Sequence, residues 1–107
     1  MEESKPIIRL FFAKMKKVFI DLPEEEKMKF MGADRKNLDA LGMEAIAMVN
    51  CSGLSHEWDY IGVEQWPSMD AIRQREKFEK EVLKIDKYVS SKTYLGTPES
   101  FAGYGKG

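Results

Sequence analysis

Residues 56–68 read HEWDYIGVEQWPS, and this stretch decides how the chain folds. The aromatic and β-branched residues from Trp58 to Trp66 are typical of a strand. Pro67 ends that strand, and Ser68 followed by Asp70 is a helix N-cap with an acid in the first turn. The stretch therefore predicts a strand that leads directly into a helix.

Alternation along this strand places its side chains on two sides of a sheet. One side carries Ile61 and Val63, which we expect to contact helices. The other side carries Trp58, Tyr60 and Glu64, an aromatic surface with a carboxylate in it. Because a large exposed aromatic surface is unfavourable in water, we expect a partner or a ligand to cover this side.

Similar patterns place further elements before and after this strand. Pro23 and the three glutamates that follow it begin a helix, and Gly42 is a typical residue just beyond a helix end. A second helix is predicted over residues 69–88, with an inward face of Ile72, Phe78, Val82 and Ile85. The other three strands are predicted over residues 7–13, 43–51 and 89–95. The order is β-α-β-β-α-β, the ferredoxin-like α+β arrangement, in which an antiparallel sheet carries both helices on one face.

Length and composition limit the classes of protein to consider. A chain of 107 residues is one domain, here with a core over about residues 6–97 and a tail over 98–107. The net charge of −1 argues against a nucleic-acid binder and against a polybasic membrane patch. No signal peptide and no apolar run of roughly 18 residues is found. Cys51 has no second cysteine for an intramolecular disulfide, so we expect a cytoplasmic protein.

The strand pattern, DYIGVEQWPS before a helix and the closing YVSSKTYLGTP together resemble the dimeric α+β barrel superfamily over about residues 6–97. Its members include small monooxygenases, haem-degrading enzymes and muconolactone-isomerase-like proteins. The resemblance implies a homodimer in which two sheets face each other and enclose a cavity under each sheet. It also implies that Arg9, Phe11, Tyr60 and Glu64 face that cavity.

The resemblance does not extend to a cofactor site. The haem-degrading members use an Asn on the first strand, a Trp on the third strand and a His on the second helix. This chain has Arg9, Leu10 and Phe11 where the Asn should be, and its second helix contains no histidine. One histidine and one cysteine also fall short of a zinc site. We therefore expect no metal and no cofactor.

Three residues are candidates for catalysis, namely Glu64, Tyr60 and His56. Glu64 lies mid-strand among aromatic residues, where burial would suit it to general acid or base chemistry. The alternative is a structural ion pair between Glu64 and Arg9. His56 could transfer protons near neutral pH, or it could be a solvated loop residue. The candidate ligand-binding residues are Arg9, Phe11, Trp58, Tyr60, Glu64 and Tyr94.

Three functions remain open from the sequence. The first is a homodimer that binds a small apolar or aromatic molecule in each barrel cavity. The second is a cofactor-independent oxygenase, isomerase or decarboxylase that uses Glu64 and Tyr60, with Arg9 or His56 as a further candidate. The third is a structural or regulatory interaction protein with no open cavity. Phe101 and Tyr104 in the tail could cross to the other subunit and cover its cavity.

Overall fold

A four-stranded antiparallel sheet is the centre of the fold. The structure is a computed structural model that describes residues 6–54 and 57–99. The strands lie in the order β2-β3-β1-β4. This order and the succession of elements confirm the predicted ferredoxin-like α+β fold. The strands are β1 (Ile7–Met15), β2 (Glu44–Asn50), β3 (Tyr60–Trp66) and β4 (Val89–Gly96).

The helices begin and end largely where the sequence signals lie. The first long helix follows Pro23 and has three glutamates in its first turn, and Gly42 just beyond its end has a φ of +81°. The Ser68 hydroxyl accepts a hydrogen bond from the Ala71 amide at 3.1 Å. None of the helices within the described residues has the length and apolar character needed to cross a membrane. The helices are α1 (Lys17–Ile20), α2 (Glu24–Ala40), α3 (Met69–Phe78) and α4 (Ile85–Tyr88).

The second helix region is not one continuous α-helix. Residues Glu79–Leu83 form a π-helical turn, and Lys84 has a left-handed backbone with a φ of +50°. The wider turn changes which side chains face the sheet. Val82, which we expected to face inward, is 59% exposed, and Leu83 is buried instead. The prediction for Val82 is therefore wrong, because periodicity alone assumes a regular turn throughout.

The hydrophobic core is small and lies at one end of the sheet. Trp66 and Ile72 have no exposed surface, and they cluster with Leu38 and Ala71. This cluster joins α2 and α3 to the end of β3. A core of this size stabilises a small domain only weakly, so further burial against another molecule would add to its stability.

Strand pairing shows which side of the sheet lies under the helices. Ile7 lies opposite Trp66, and Arg9 lies opposite Glu64, so these four residues share one side. Because Trp66 packs against α2 and α3 residues in the core, this side is the one under the helices. We call it the covered face. The covered face consists of Ile7, Arg9, Phe11 and Ala13 of β1 and Tyr60, Gly62, Glu64 and Trp66 of β3.

None of the helices within residues 6–54 and 57–99 lies on the opposite side of the sheet. There, Leu10 lies opposite Val63, and Phe12 lies opposite Ile61. The prediction that Ile61 and Val63 contact the helices, with Glu64 on the uncovered side, is therefore wrong. Trp66 lies three residues before the start of α3 and is buried under the helices. Because side chains alternate along a strand, the position of Trp66 determines the side on which every other residue of β3 lies. We call the uncovered side the open face, and its apolar residues include Ile8, Leu10, Phe12, Ile61, Val63 and Tyr94, with Ala47 and Val49 of β2.

Candidate functional site

The covered face contains a buried ion pair. The Arg9 Nε atom donates to Glu64 Oε1 at 2.8 Å, and the Arg9 Nη2 atom donates to Glu79 Oε2 at 3.1 Å. Trp66 Nε1 donates to the same Glu64 oxygen at 3.0 Å. The Arg9 side chain is 1% exposed and that of Glu64 is 10% exposed. Water therefore screens this pair little, and its geometry matters for folding.

The ion pair continues into both long helices. Glu79 Oε2 also accepts from Arg75 Nε at 2.9 Å. The other nitrogens of the Arg75 guanidinium donate to Asn37 Oδ1 and Asp34 Oδ1 of α2. Arg75 is itself 2% exposed. One chain of charged contacts thus joins β3 and β1 to α3 and α2.

The environment of Arg9 keeps its guanidinium charged. Burial lowers the pKa of Arg9, but the carboxylates of Glu79 and Glu64 more than offset this and raise it above its ordinary value. The centre of the guanidinium lies 5.2 Å from the ring centroids of both Phe11 and Trp66. Within residues 6–54 and 57–99, the buried Nη1 atom has no hydrogen-bond partner. These contacts are those of a structural cation held between two carboxylates and two rings.

The open face has a different chemistry. Its central residues Ile8, Leu10 and Phe12 are partly exposed although all three are apolar. Ile61 and Val63 are likewise partly exposed. An apolar surface that spans the middle strands of a sheet is a typical site for binding a partner or a ligand.

Three aromatic rings meet at one end of the open face. The ring centroid of Phe12 lies 5.6 Å from that of Trp58 and 5.8 Å from that of Tyr94. Lys92 lies directly opposite Phe12 in the pairing of β1 with β4, and its Nζ atom is 5.5 Å from the Tyr94 ring centroid. We call Phe12, Trp58 and Tyr94 the aromatic cluster. The cluster and Lys92 place aromatic contact area beside a cation on the open face. Lys14, two residues after Phe12 on the same side of β1, is a second cation at this end, and its Nζ atom lies 4.0 Å from Asp59 Oδ1.

The structure separates the residues that the sequence grouped as one site. Arg9, Phe11 and Glu64 lie on the covered face, together with Tyr60, which is 37% exposed. The expectation that these four face a cavity on the uncovered side is wrong, because the covered face is the side that packs under the helices.

Trp58 and Tyr94, by contrast, meet on the open face through Phe12. His56 lies outside the described residues, as do Phe101 and Tyr104 of the tail. The catalytic roles assigned to Glu64, Tyr60 and His56 remain predictions.

Sequence reasoning missed most of the open face. Ile8, Leu10 and Phe12 form a uniformly apolar side of β1, whereas the other side of that strand contains Arg9. We expected the side with the charge to face outward into a cavity. The uniformly apolar side of β1 was the signal that could have indicated the open face. A side chain as polar as that of Arg9 can be buried when carboxylates pair with it.

Two clefts lie between the helices. One has a volume of about 250 Å³ and is lined in part by Phe30 and Tyr88. The other has a volume of about 390 Å³ and is lined in part by Asn37 and Phe78. Val82 lines both. Neither cleft includes a residue of the open face. The charged residues that line them are Glu26 and Lys29 in the first cleft and Lys77 and Glu81 in the second.

A metal site needs a group of His, Cys, Asp or Glu side chains, and a haem site of the family's kind needs a histidine on the second helix. The described part of the chain contains no group of three or more His, Cys, Asp or Glu that could hold a metal ion. Residues 69–88, which correspond to the helix that carries the histidine in haem-degrading members, contain no histidine. Residues 69–88 therefore do not fit that mode of haem ligation.

Solved structures of low sequence identity share the fold of this chain. They agree with the ferredoxin-like α+β fold that the sequence predicted. A mutant chlorite dismutase from Candidatus Nitrospira defluvii is similar with a TM-score of 0.71 and 16% identity, over 95% of this chain and 45% of that chain. A protein of unknown function from Rhodopseudomonas palustris is similar with a TM-score of 0.63 and 13% identity, over 92% of this chain and 85% of that chain.

These similarities concern the fold. The chain spans slightly less than half the length of the chlorite dismutases that it matches. No protein-family model matches the sequence, and no curated protein sequence matches it at a significant level.

Proposed function

We propose that this chain forms a homodimer through its open face and binds a small apolar or aromatic molecule between the two sheets. The observation that carries the proposal is the apolar centre of the open face, which no helix within the described residues covers. Leu10 and Val63 lie at its centre and are partly exposed. Burial of such a surface contributes roughly 25 cal/mol per Å² of apolar area.

A second copy of the chain is the partner that the surface fits. The open face belongs to the two central strands, so a flat apolar surface of the same kind can cover it by a two-fold contact. The covered face, by contrast, already satisfies its charges within one chain through Arg9 and Glu64. The dimer therefore requires no further ionic partner for that pair.

A ligand is proposed because the open face ends in aromatic side chains rather than in aliphatic ones alone. Tyr94 is 51% exposed, and Trp58 and Phe12 are partly exposed. Aromatic rings offer flat surfaces against which a planar molecule can stack or pack edge to face. The aromatic cluster is thus the part of the open face that we assign to the ligand.

Other predictions stay proposals of this kind. We propose that Glu64 serves as the structural partner of Arg9, because its Oε1 atom is occupied by two donors. We also propose the cytoplasm as the location, because Cys51 is the single cysteine. The sequence identity to chlorite dismutase is 16%, which shows a similar fold and nothing about the reaction. We therefore propose no chlorite chemistry.

Sedimentation equilibrium at micromolar concentration tests the dimer. We expect a dimer for the natural sequence and a folded monomer for Val63→Lys, because a cation at the centre of the interface would lose its water without a partner. Tyr94→Lys is a milder second variant, since Tyr94 lies on an edge strand and is 51% exposed. Met28→Lys is the control, because Met28 is 67% exposed on α2. A monomeric natural protein would contradict the proposal, as would a dimer that both open-face variants leave intact.

A further inference from the structure

We propose that the small molecule bound at the open face is an aromatic acid, with its ring against the aromatic cluster and its acidic group on Lys92. This inference rests on the proposed function and specifies the class of ligand. It is carried by the position of Lys92 beside Phe12, Trp58 and Tyr94.

The two ends of the open face differ in chemistry. Ile8 lies at one end, next to the central pair of Leu10 and Val63, and all three are aliphatic. The rings of Phe12, Trp58 and Tyr94 meet at the other end at centroid distances of 5.6 Å and 5.8 Å. A planar aromatic ligand gains most contact with other rings, by stacking or by edge-to-face packing. The ring of the ligand is therefore expected at the end near Trp58.

Lys92 places a cation at the same end. It lies opposite Phe12 across the β1–β4 pair, and its Nζ atom is 5.5 Å from the Tyr94 ring centroid. The pKa of Lys92 is raised, chiefly by its hydrogen bond with Tyr94, so the ammonium is charged at neutral pH. A second copy that covers the open face would remove water from this charge. A cation that loses water without an anion nearby is costly, so an acidic group on the ligand would offset that cost.

Within the part of the chain that the structure describes, Glu57 is an acid that acts on the same cation. Its carboxylate also raises the pKa of Lys92, although less than Tyr94 does. Glu57 and the acidic group of a ligand would therefore compete for Lys92. If Glu57 alone compensates the cation, the site favours a neutral aromatic molecule. The experiment must distinguish these two cases.

Binding of three matched probes tests the charge of the ligand. The probes are 2-naphthoate, its neutral amide 2-naphthamide, and the cation 2-naphthylmethylammonium. Their binding to the full chain is measured by isothermal titration calorimetry, because the naphthalene probes absorb and emit in the range of tryptophan fluorescence. We expect 2-naphthoate to bind about tenfold more tightly than the amide, as for one hydrogen bond to a charged group. Equal affinities for the acid and the amide would overturn the inference, as would tighter binding of the cation.

Variants assign the preference to Lys92. Lys92→Gln should remove the tenfold preference for the acid and leave the affinity for the amide unchanged. Glu57→Gln should strengthen binding of the acid, because the competing carboxylate is gone. Lys80→Gln is the matched control, since Lys80 is exposed in the π-helical turn on the far side of the sheet. A preference that survives in Lys92→Gln would contradict the assignment.

The outcomes separate this inference from the proposed function. A dimer that binds the amide as well as the acid keeps the proposed function and overturns the aromatic-acid inference. A dimer that binds none of the three probes contradicts both the ligand and its charge. A monomer contradicts the proposed function itself. All three of these outcomes refer to the protein of natural sequence.

Discussion

Replacement of Arg9 by Met tests the buried ion pair most directly. Met keeps an unbranched apolar chain between the Phe11 and Trp66 rings, so the change removes charge more than volume. Glu79 retains Arg75 as a cationic partner at 2.9 Å. Glu64 retains only the hydrogen bond from Trp66 Nε1, because its cationic partner is lost. The variant therefore leaves one buried carboxylate without a compensating charge.

The magnitude follows from the burial of that carboxylate. Breaking a buried pair by removing one partner costs about 3–5 kcal/mol, and the Arg9 side chain is 1% exposed. A domain of this size has a free energy of unfolding of about 5–15 kcal/mol. At about 4 °C for each kcal/mol, the expected fall in Tm is about 12–20 °C. Arg9→Met should therefore be folded but markedly less stable.

Urea denaturation followed by circular dichroism measures the change, with Arg35→Met as the control. Arg35 pairs with Asp39 on the surface, where the two side chains are 74% and 61% exposed. Its loss should change the free energy of unfolding by no more than about 0.5 kcal/mol. If Arg9→Met costs no more than this control, the reasoning about burial is refuted.

A second variant separates charge from packing. In Arg9→Met combined with Glu64→Gln, no unpaired carboxylate remains at this position. The double variant should be more stable than Arg9→Met alone, because a neutral amide is far less costly to bury than a carboxylate. A double variant that is less stable than the single one would show that packing around Arg9, rather than its charge, determines the loss.

Three other substitutions probe local features of the fold, each measured by the midpoint and slope of urea unfolding. Ser68→Ala removes the cap of the Ala71 amide and should cost about 1 kcal/mol, whereas an unchanged midpoint would show that the cap contributes nothing. Gly42→Ala should cost about 1 kcal/mol, since the φ of +81° is unfavourable for Ala and the new Cβ would lie 3.4 Å from Pro67 Cγ. Leu38→Ala should cost about 2–5 kcal/mol by opening the core, and a loss below 1 kcal/mol would mean that α2 moves to fill the space.

Much of the fold could be predicted from local signals. Ser68 caps α3, and Gly42 follows the end of α2 as expected. The strands β2 and β3 form the predicted antiparallel pair. These features depend on neighbouring residues, and backbone preferences act over a few positions, so the sequence pattern is sufficient to locate them.

The candidate site was harder to predict because it depends on distant residues. Arg9 and Glu64 are 55 positions apart, and Arg9 and Glu79 are 70 positions apart. Alternation correctly indicated that Arg9 could pair with Glu64 from the same side of the sheet. It could not indicate that Glu79 of the second helix region would join them, because the π-helical turn is not visible as a change of period.

The amino-acid sequence by itself determined the order of the elements and which residues share a side of each strand. Only the tertiary structure decided which side lies under the helices. Alternation is symmetrical between the two sides of a strand, and composition favoured the wrong one because Arg9 and Glu64 are charged. Packing of Trp66 against Ile72 and Leu38 breaks this symmetry. As a result, the charges lie inside and the apolar residues remain on the open face.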